Sequence, residues 1–431
     1  MRPDAVVDHE DDRTVVIRHD ARDLPLDDAT VDLIVTSPPY FALRSYRDDG
    51  DHYGGQIGSE DTPEAFLEAL DGCMVEWWRV LKPSGSVWVN LGDKYAGTGG
   101  ANSNTGLGFA DVSDATTDNR GSARNNTKQT RGYRAKSLLG LPWRMAIRQI
   151  DAGWILRAEV VWSKPNGLPE SVTDRVRRSH EQWFHFVKEP RYFSAVDEIR
   201  EPHKYPLTAE EMASRMKGNK NSVIHGGNRG VARGDRPNTE ADLVDATPSN
   251  PLGRLPSSVW TIPTEPLIVP DAVRETHDLP DHFAAFPQEW PRKLILGWSP
   301  SGVCVECGAG RRPVVDKVTT GRDNSALSRT HRVSGHIDPE FSRIKSDHPD
   351  RIIGYACACN ETTAATTPAL VLDPFGGTGT VAGVARTLGR YGISNDLSAD
   401  YNRLAIWRIW ESGHFAKTEQ RTWADRQTRL A

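Results

Sequence analysis

Val31-Asp32-Leu33-Ile34-Val35-Thr36-Ser37-Pro38-Pro39-Tyr40 is the stretch on which the reading of this chain turns. Its first six residues are mostly apolar and of strand length, the pattern of a strand buried on both faces of a parallel sheet. Its last four place a hydroxyl and carbonyl acceptors beside an aromatic ring, on a loop stiffened by two prolines. More than 330 residues later comes Leu372-Asp373-Pro374-Phe375-Gly376-Gly377-Thr378-Gly379-Thr380. This reads as a strand, a glycine turn and a helix start. Glycines let a ligand approach the backbone, and the first turn of a helix offers unpaired N–H groups to a carboxylate. The spacing is not G-x-G-x-x-G, which disfavours a hydride-transfer enzyme. Asp396 lies 20 residues past Gly376, the distance at which an acid in an open α/β sheet often binds ribose hydroxyls.

Outward from these two stretches, strand, helix, turn and strand alternate. Strands are predicted at 14–17, 31–36, 86–91, 158–162, 182–188, 369–373 and 390–395. Helices are predicted at 63–81, 142–151, 289–296, 380–388 and 400–410. Pro83-Ser84-Gly85 reads as the turn that ends the first helix. This rhythm defines an α/β protein. Residues 96–130 are polar and glycine-rich and read as a loop, and 201–280 is Pro-rich and irregular, the mark of an inserted module.

The 431 residues suffice for one large α/β domain with insertions. No run approaches the roughly 20 apolar residues of a membrane span, and the N-terminal residues lack the apolar core of a signal peptide, so a cytoplasmic, membrane-free protein is expected. A net charge of −5 argues against a nucleic-acid partner, but charge is uneven. Residues 120–148 contain eight Lys or Arg and no Asp or Glu, a pattern that suits a phosphate backbone.

Together the two motifs resemble those of the DNA amino-methyltransferases. Base-side motif first and cofactor motif last is the permuted order of that family's β class. Segments 161–166, 170–175 and 179–181 are similar to the same family's later catalytic segments. The resemblance implies a doubly wound, mostly parallel, seven-stranded-type sheet that binds S-adenosylmethionine. By resemblance Asp373 faces the methionine part of the cofactor and Phe375 lies against it, within a site formed by Pro374, Gly376, Gly377, Gly379 and Thr380. Asp396 matches the ribose-binding acid, although the family usually has glycine where Asn395 stands. His282-Phe283-Ala284-Ala285-Phe286-Pro287 looks like the segment closing over the methionine end, with Phe283 and Phe286 as contacts. Asp20 matches an acid near the adenine ring, with His19 where glycine is common.

The chemistry fits the residues. An exocyclic amine on cytosine or adenine is planar, with its lone pair delocalised, and is a poor nucleophile. Fixed acceptors for its N–H groups, such as the Ser37 hydroxyl and the Pro38 carbonyl, favour a freer lone pair. Pro39 stiffens the loop and Tyr40 offers a ring for stacking, which requires the base to leave the duplex. Within the family, Ser-Pro-Pro-Tyr is typical of N4-cytosine enzymes and Asp- or Asn-Pro-Pro-Tyr of N6-adenine enzymes. Cytosine N4 in duplex DNA is therefore the expected target. N6-adenine, RNA as substrate, and an inactive DNA-binding module on the same fold are the alternatives. Methylation at cytosine C5 needs a Pro-Cys nucleophile, and this chain has no such dipeptide. A partner restriction endonuclease is a further expectation of the family.

Cys304-x-x-Cys307 and Cys357-x-Cys359 make four thiols, enough for one tetrahedral structural zinc. Cys73 reads as a core residue. The resulting domain plan places the target-base half at 1–200, a target-recognition insert at 201–280 and a cofactor-closing segment at 281–300. A zinc-knuckle insert follows at 301–365, and the cofactor half at 366–431.

Overall fold

The computed structural model describes residues 1–42, 47–48, 51–52, 56–97, 130, 132–167, 169–170, 172–202, 252–280, 286–316, 351–357, 359 and 364–421. The chain forms two compact units. The first comprises Met1–Ala195, Ser257–Arg312 and Cys357–Ala424, and the second Val196–Pro256, Pro313–Ala356 and Asp425–Ala431. Residues 98–129 of the predicted loop, residue 131 of the basic run, 203–251 of the 201–280 insert and all of 317–350 lie outside the described residues.

The first unit is built on a nine-stranded sheet. Its strands are β1 (Val6–Glu10), β2 (Thr14–Arg18), β3 (Val31–Thr36), β4 (Leu81–Leu91), β5 (Ile155–Ser163), β6 (His180–Val187), β7 (Val259–Thr261), β8 (Leu370–Asp373) and β9 (Tyr391–Asn395). The spatial order is β1-β2-β9-β8-β3-β4-β6-β5-β7. The run β2-β9-β8-β3-β4 is parallel throughout, and β6 runs antiparallel to β4 and β5. Seven strands make the expected sheet. The short β1 and β7 extend it at either edge.

The helices are α1 (Pro63–Val80), α2 (Leu141–Asp151), α3 (Asp271–His277), α4 (Glu289–Trp298), α5 (Thr380–Thr387) and α6 (Ala399–Ile406). Thr62 caps α1 by accepting the Ala65 N–H at 3.1 Å. The apolar stripe of α1, from Phe66 to Trp77, joins Ile34, Val87, Val89, Phe184, Phe186 and Leu372 in one core. Residues of opposite parity face the other way: Trp183 stacks on Trp290 of α4 at 4.6 Å, and His185 meets Trp298 at 5.3 Å. Both faces of the sheet are therefore covered, as a doubly wound fold requires.

Three details depart from the pattern reading. Pro83-Ser84-Gly85 does not separate α1 from its strand, because β4 begins at Leu81. The register runs Val31↔Leu81 and then Leu33↔Ser86, so the extra residues bulge out of the ladder. A Cβ at Gly85 would meet the Leu81 side chain at 2.6 Å, so the bulge needs glycine. The last helix stops at Ile406 and loosens into a π-turn over Trp407–Glu411. β7, within the span assigned to the recognition insert, is a strand of the main sheet.

Candidate active site

The two motifs leave neighbouring parallel strands at the same, C-terminal edge of the sheet, where open α/β sheets place their ligands. Thr36, the last residue of β3, donates its hydroxyl to Oδ1 of Asp373, the last residue of β8, at 2.7 Å. The same Oδ1 accepts the Phe375 N–H at 3.1 Å. Asp373 is buried, and its Oδ2 has no hydrogen-bond partner among the described residues. Burial pushes its carboxyl well above the usual carboxylate range, and the Thr36 and Phe375 bonds only partly oppose this.

The glycine turn beyond Asp373 is tightly built. A Cβ at Gly376 would lie 2.0 Å from the Ser394 hydroxyl, and Gly377 and Gly379 have φ of +49° and +69°. Asp396 binds the turn from β9, accepting the Gly377 N–H at 2.9 Å and the Ser398 N–H at 3.0 Å. Thr380 is also tied into the fold. Its hydroxyl and that of Thr378 each accept from Nη1 of the buried Arg408 at 2.6 Å. The Thr380 side chain thus braces α5 from within.

Asn395 explains its own departure from glycine. Its amide donates to the His19 carbonyl at 3.0 Å and to the Pro374 carbonyl at 3.1 Å. One side chain so ties the turn after β2, which carries Asp20, to the turn after β8. Asp20 is bound by the Arg22 guanidinium, which holds its carboxyl below the usual range despite partial burial. Phe286 packs edge-on to Trp183, 5.9 Å between ring centres. Phe283 lies outside the described residues.

On the base side, the Ser37 hydroxyl donates to Oδ1 of Asn90 at 3.2 Å, and Tyr40 approaches the same oxygen at 2.8 Å. The Asn90 amide is oriented by its bond to the Gln182 carbonyl at 3.0 Å, which fixes Oδ1 toward the motif. The Ser37 proton is therefore committed, and its oxygen keeps lone pairs for an incoming donor. The Tyr40 hydroxyl also lies 2.9 Å from Oε2 of Glu181, whose other oxygen receives Lys164. Burial, with Glu181 beside it, raises the Tyr40 phenol well above its ordinary value. Lys164 stands 4.1 Å from the Trp162 ring centre. Gly92 leaves room for Tyr40, since a Cβ there would come within 2.4 Å of its ring. Lys94 donates to the Ala42 carbonyl just beyond the motif, and burial lowers its pKa to about 8.

Thr36, Asn90 and Gly92 carry no motif of their own, and Lys164 and Glu181 stood within resembling segments without a role. What they share is placement at strand ends. Of the basic run, Lys136 pairs with Asp174 at 2.6 Å and Arg148 with Asp71, so part of that charge is already neutralised. The four cysteine sulfurs gather elsewhere in the first unit, within 4.8 Å of one another.

Residues 31–305 match the sequence model of the N6/N4 DNA methylases, and the chain belongs to this family of DNA amino-methyltransferases. Among curated relatives, the type II methyltransferase M.SmaI of Serratia marcescens is 38% identical over 194 residues, 44% of this chain and 61% of that protein. M.XycI of Xanthomonas campestris pv. cyanopsidis is 40% identical over 178 residues, 41% of this chain and 54% of that protein. The alignments thus span little more than half the length of these relatives. A solved structure, the PvuII DNA methyltransferase (cytosine-N4-specific), is 14% identical, with a TM-score of 0.48 over 97% of this chain and 93% of that one.

Proposed function

We propose that the protein methylates the exocyclic N4 of a cytosine flipped out of duplex DNA, using S-adenosylmethionine. The observation that carries this reading is the Ser37–Asn90 bond. By accepting the hydrogen bond of the hydroxyl, Asn90 turns the Ser37 lone pairs toward an incoming donor, which an amino group supplies and a ring carbonyl does not. The Pro38 carbonyl supplies a second acceptor on the same loop, and Tyr40 a ring to stack on the base.

The residues present suit the cofactor. Asp373 has a buried, unpartnered oxygen for an ammonium group, and the turn at Gly376 admits no side chain. Asp373 would hold the amino end and Asp396 the ribose. When bound, the cofactor supplies an electrophilic methyl group, so that the N–C bond forms as the C–S bond breaks. Ser37 and Pro38 orient the amine lone pair toward that methyl group. The methylated nitrogen sheds a proton, which passes to solvent.

A serine acceptor, neutral rather than a carboxylate, together with its usual association with N4 enzymes, favours cytosine over adenine. A target-recognition insert at 201–280, a cognate endonuclease and a cytoplasmic location complete the proposal. Among the described residues no helix is long and apolar enough to cross a membrane.

The test is mass spectrometry of nucleosides from unmethylated DNA incubated with the protein and S-adenosylmethionine. N4-methylcytosine supports the full reading. N6-methyladenine retains the site assignment and overturns the base. Cofactor binding with neither product, on DNA containing all short sequences, brings forward an RNA substrate or an inactive module.

A further inference from the structure

We infer that Cys304, Cys307, Cys357 and Cys359 bind one structural zinc ion as four thiolates. Sulfurs placed tetrahedrally about a zinc at about 2.3 Å stand about 3.8 Å from one another. The Cys304 and Cys359 sulfurs are 3.8 Å apart, those of Cys357 and Cys359 3.2 Å, and all four lie within 4.8 Å. A set this compact brings together two cysteine pairs separated by 49 residues of sequence.

The backbone around the first pair is shaped for a metal. Cys304 and Cys307 lie on a tight turn in which the Gly308 N–H donates to the Cys304 carbonyl at 2.9 Å. Gly308 has φ +67°, a conformation that favours glycine immediately after the second ligand. Cys304 itself is buried, whereas Cys307 is exposed, so the cluster sits at the surface of the first unit with one side reachable by a metal.

The second pair is brought in by a short antiparallel ladder, Val303–Cys304 with Thr366–Thr367. Gly302 permits that approach, because a Cβ there would meet the Thr366 side chain at 2.8 Å. Arg311 fastens the same junction through the Ala364 carbonyl. Four thiols in one site leave no open coordination position, so the ion takes no part in methyl transfer. Its task follows from chain topology. The chain leaves the first unit after Arg312 and returns at Cys357. Two ligands precede that excursion and two follow it. The metal fixes both roots of the excursion at one point, and binding displaces the thiol protons as the four sulfurs close on it.

The test uses the full-length protein, purified under reducing conditions without added metal, and elemental analysis. One zinc per chain is expected, with X-ray absorption showing four sulfur neighbours at about 2.3 Å. Cys304→Ser and Cys359→Ser should lose the stoichiometric zinc. Should those variants fail to fold, the exposed Cys307→Ser serves the same purpose, and Cys73→Ser should keep its zinc. A chelator should lower the melting temperature of the parent protein and leave that of the zinc-free variants unchanged. Folded, reduced protein that neither contains zinc nor takes it up on titration would overturn the inference. So would iron in its place, or mass-spectrometric evidence of disulfides among the four cysteines in freshly isolated protein.

Discussion

The hydroxyl of Thr36 and the carboxylate of Asp373 are joined at 2.7 Å, so the strand that ends in Ser-Pro-Pro-Tyr also fixes the acid that opens the glycine turn. The residues are 337 positions apart in sequence and each closes its strand. This bond helps the ionised form of a carboxyl that burial otherwise drives toward neutrality.

A pH signature follows. In the free protein Asp373 holds its proton to unusually high pH, but in the proposed role it must be ionised to receive an ammonium group. Cofactor affinity is therefore predicted to rise with pH up to the free-protein value, with a proton released on binding. Thr36→Val removes a bond that lowers this value, so it should shift the profile upward and weaken binding about tenfold below it. Thr36→Ser should restore the parent profile. Calorimetry in buffers of different ionisation heat reads both quantities. Identical profiles for the valine variant and the parent would refute the coupling.

The glycine turn gives a paired prediction. Gly376→Ala should abolish measurable cofactor binding, because its methyl group would occupy the place of the Ser394 hydroxyl. Removing that obstacle with Ser394→Gly, in the same chain, should recover part of the affinity. A double variant no better than the single would show that the collision is not the cause.

Asn90 tests the base side. Asn90→Ala frees the Ser37 proton and removes a partner of Tyr40. Turnover should fall about a hundredfold, and Tyr40→Phe should cost about tenfold, with cofactor affinity unchanged in both. Single-turnover rates and a cofactor titration separate these effects. Weaker cofactor binding with an intact chemical rate would place Asn90 on the wrong side of the site.

His185 sets a stability prediction away from the chemistry. It stacks on Trp88 at 4.4 Å and shares a 3.0 Å hydrogen bond with Ser86. Burial, with Arg157 nearby, lowers its pKa from 6.5 to about 3. Between those values the unfolded chain holds the extra proton, so this residue's contribution is complete above pH 6.5 and declines as pH falls toward 3. The slope is about 1.4 kcal/mol per pH unit. Denaturant melts across that range should show a shallower slope for His185→Gln. Parallel slopes for the two proteins would remove His185 as the source.

The sequence made some of this legible and hid the rest for physical reasons. Fully buried β3 announces itself as an apolar run, and α1 by its stripe from Phe66 to Trp77. β1 does not, because Asp8, His9 and Glu10 are what an exposed edge strand carries. β7 is three residues long, and α3 buries none of its side chains, so neither leaves a periodic trace. In the site, the Ser-Pro-Pro-Tyr and glycine motifs could be read directly. Asn90 could not, because its role arises from the register that sets β4 beside β6. The bond from Arg408 to the Thr380 hydroxyl was not legible either, because Arg408 arrives from beyond α6 and belongs to no motif.

The interleaving of β8 and β9 between β2 and β3 has a consequence for how the protein comes into being. During synthesis β2 and β3 leave the ribosome long before residues 370–395, and until then the gap between them stands open. Each presents an unpaired, apolar edge of the kind that invites aggregation. The middle of the sheet is thus the last part to be filled, and the half of the site around Asp373 and Asp396 is completed in that same late event. A nascent chain can therefore carry a finished Ser-Pro-Pro-Tyr loop and still lack the residues proposed to hold a methyl donor.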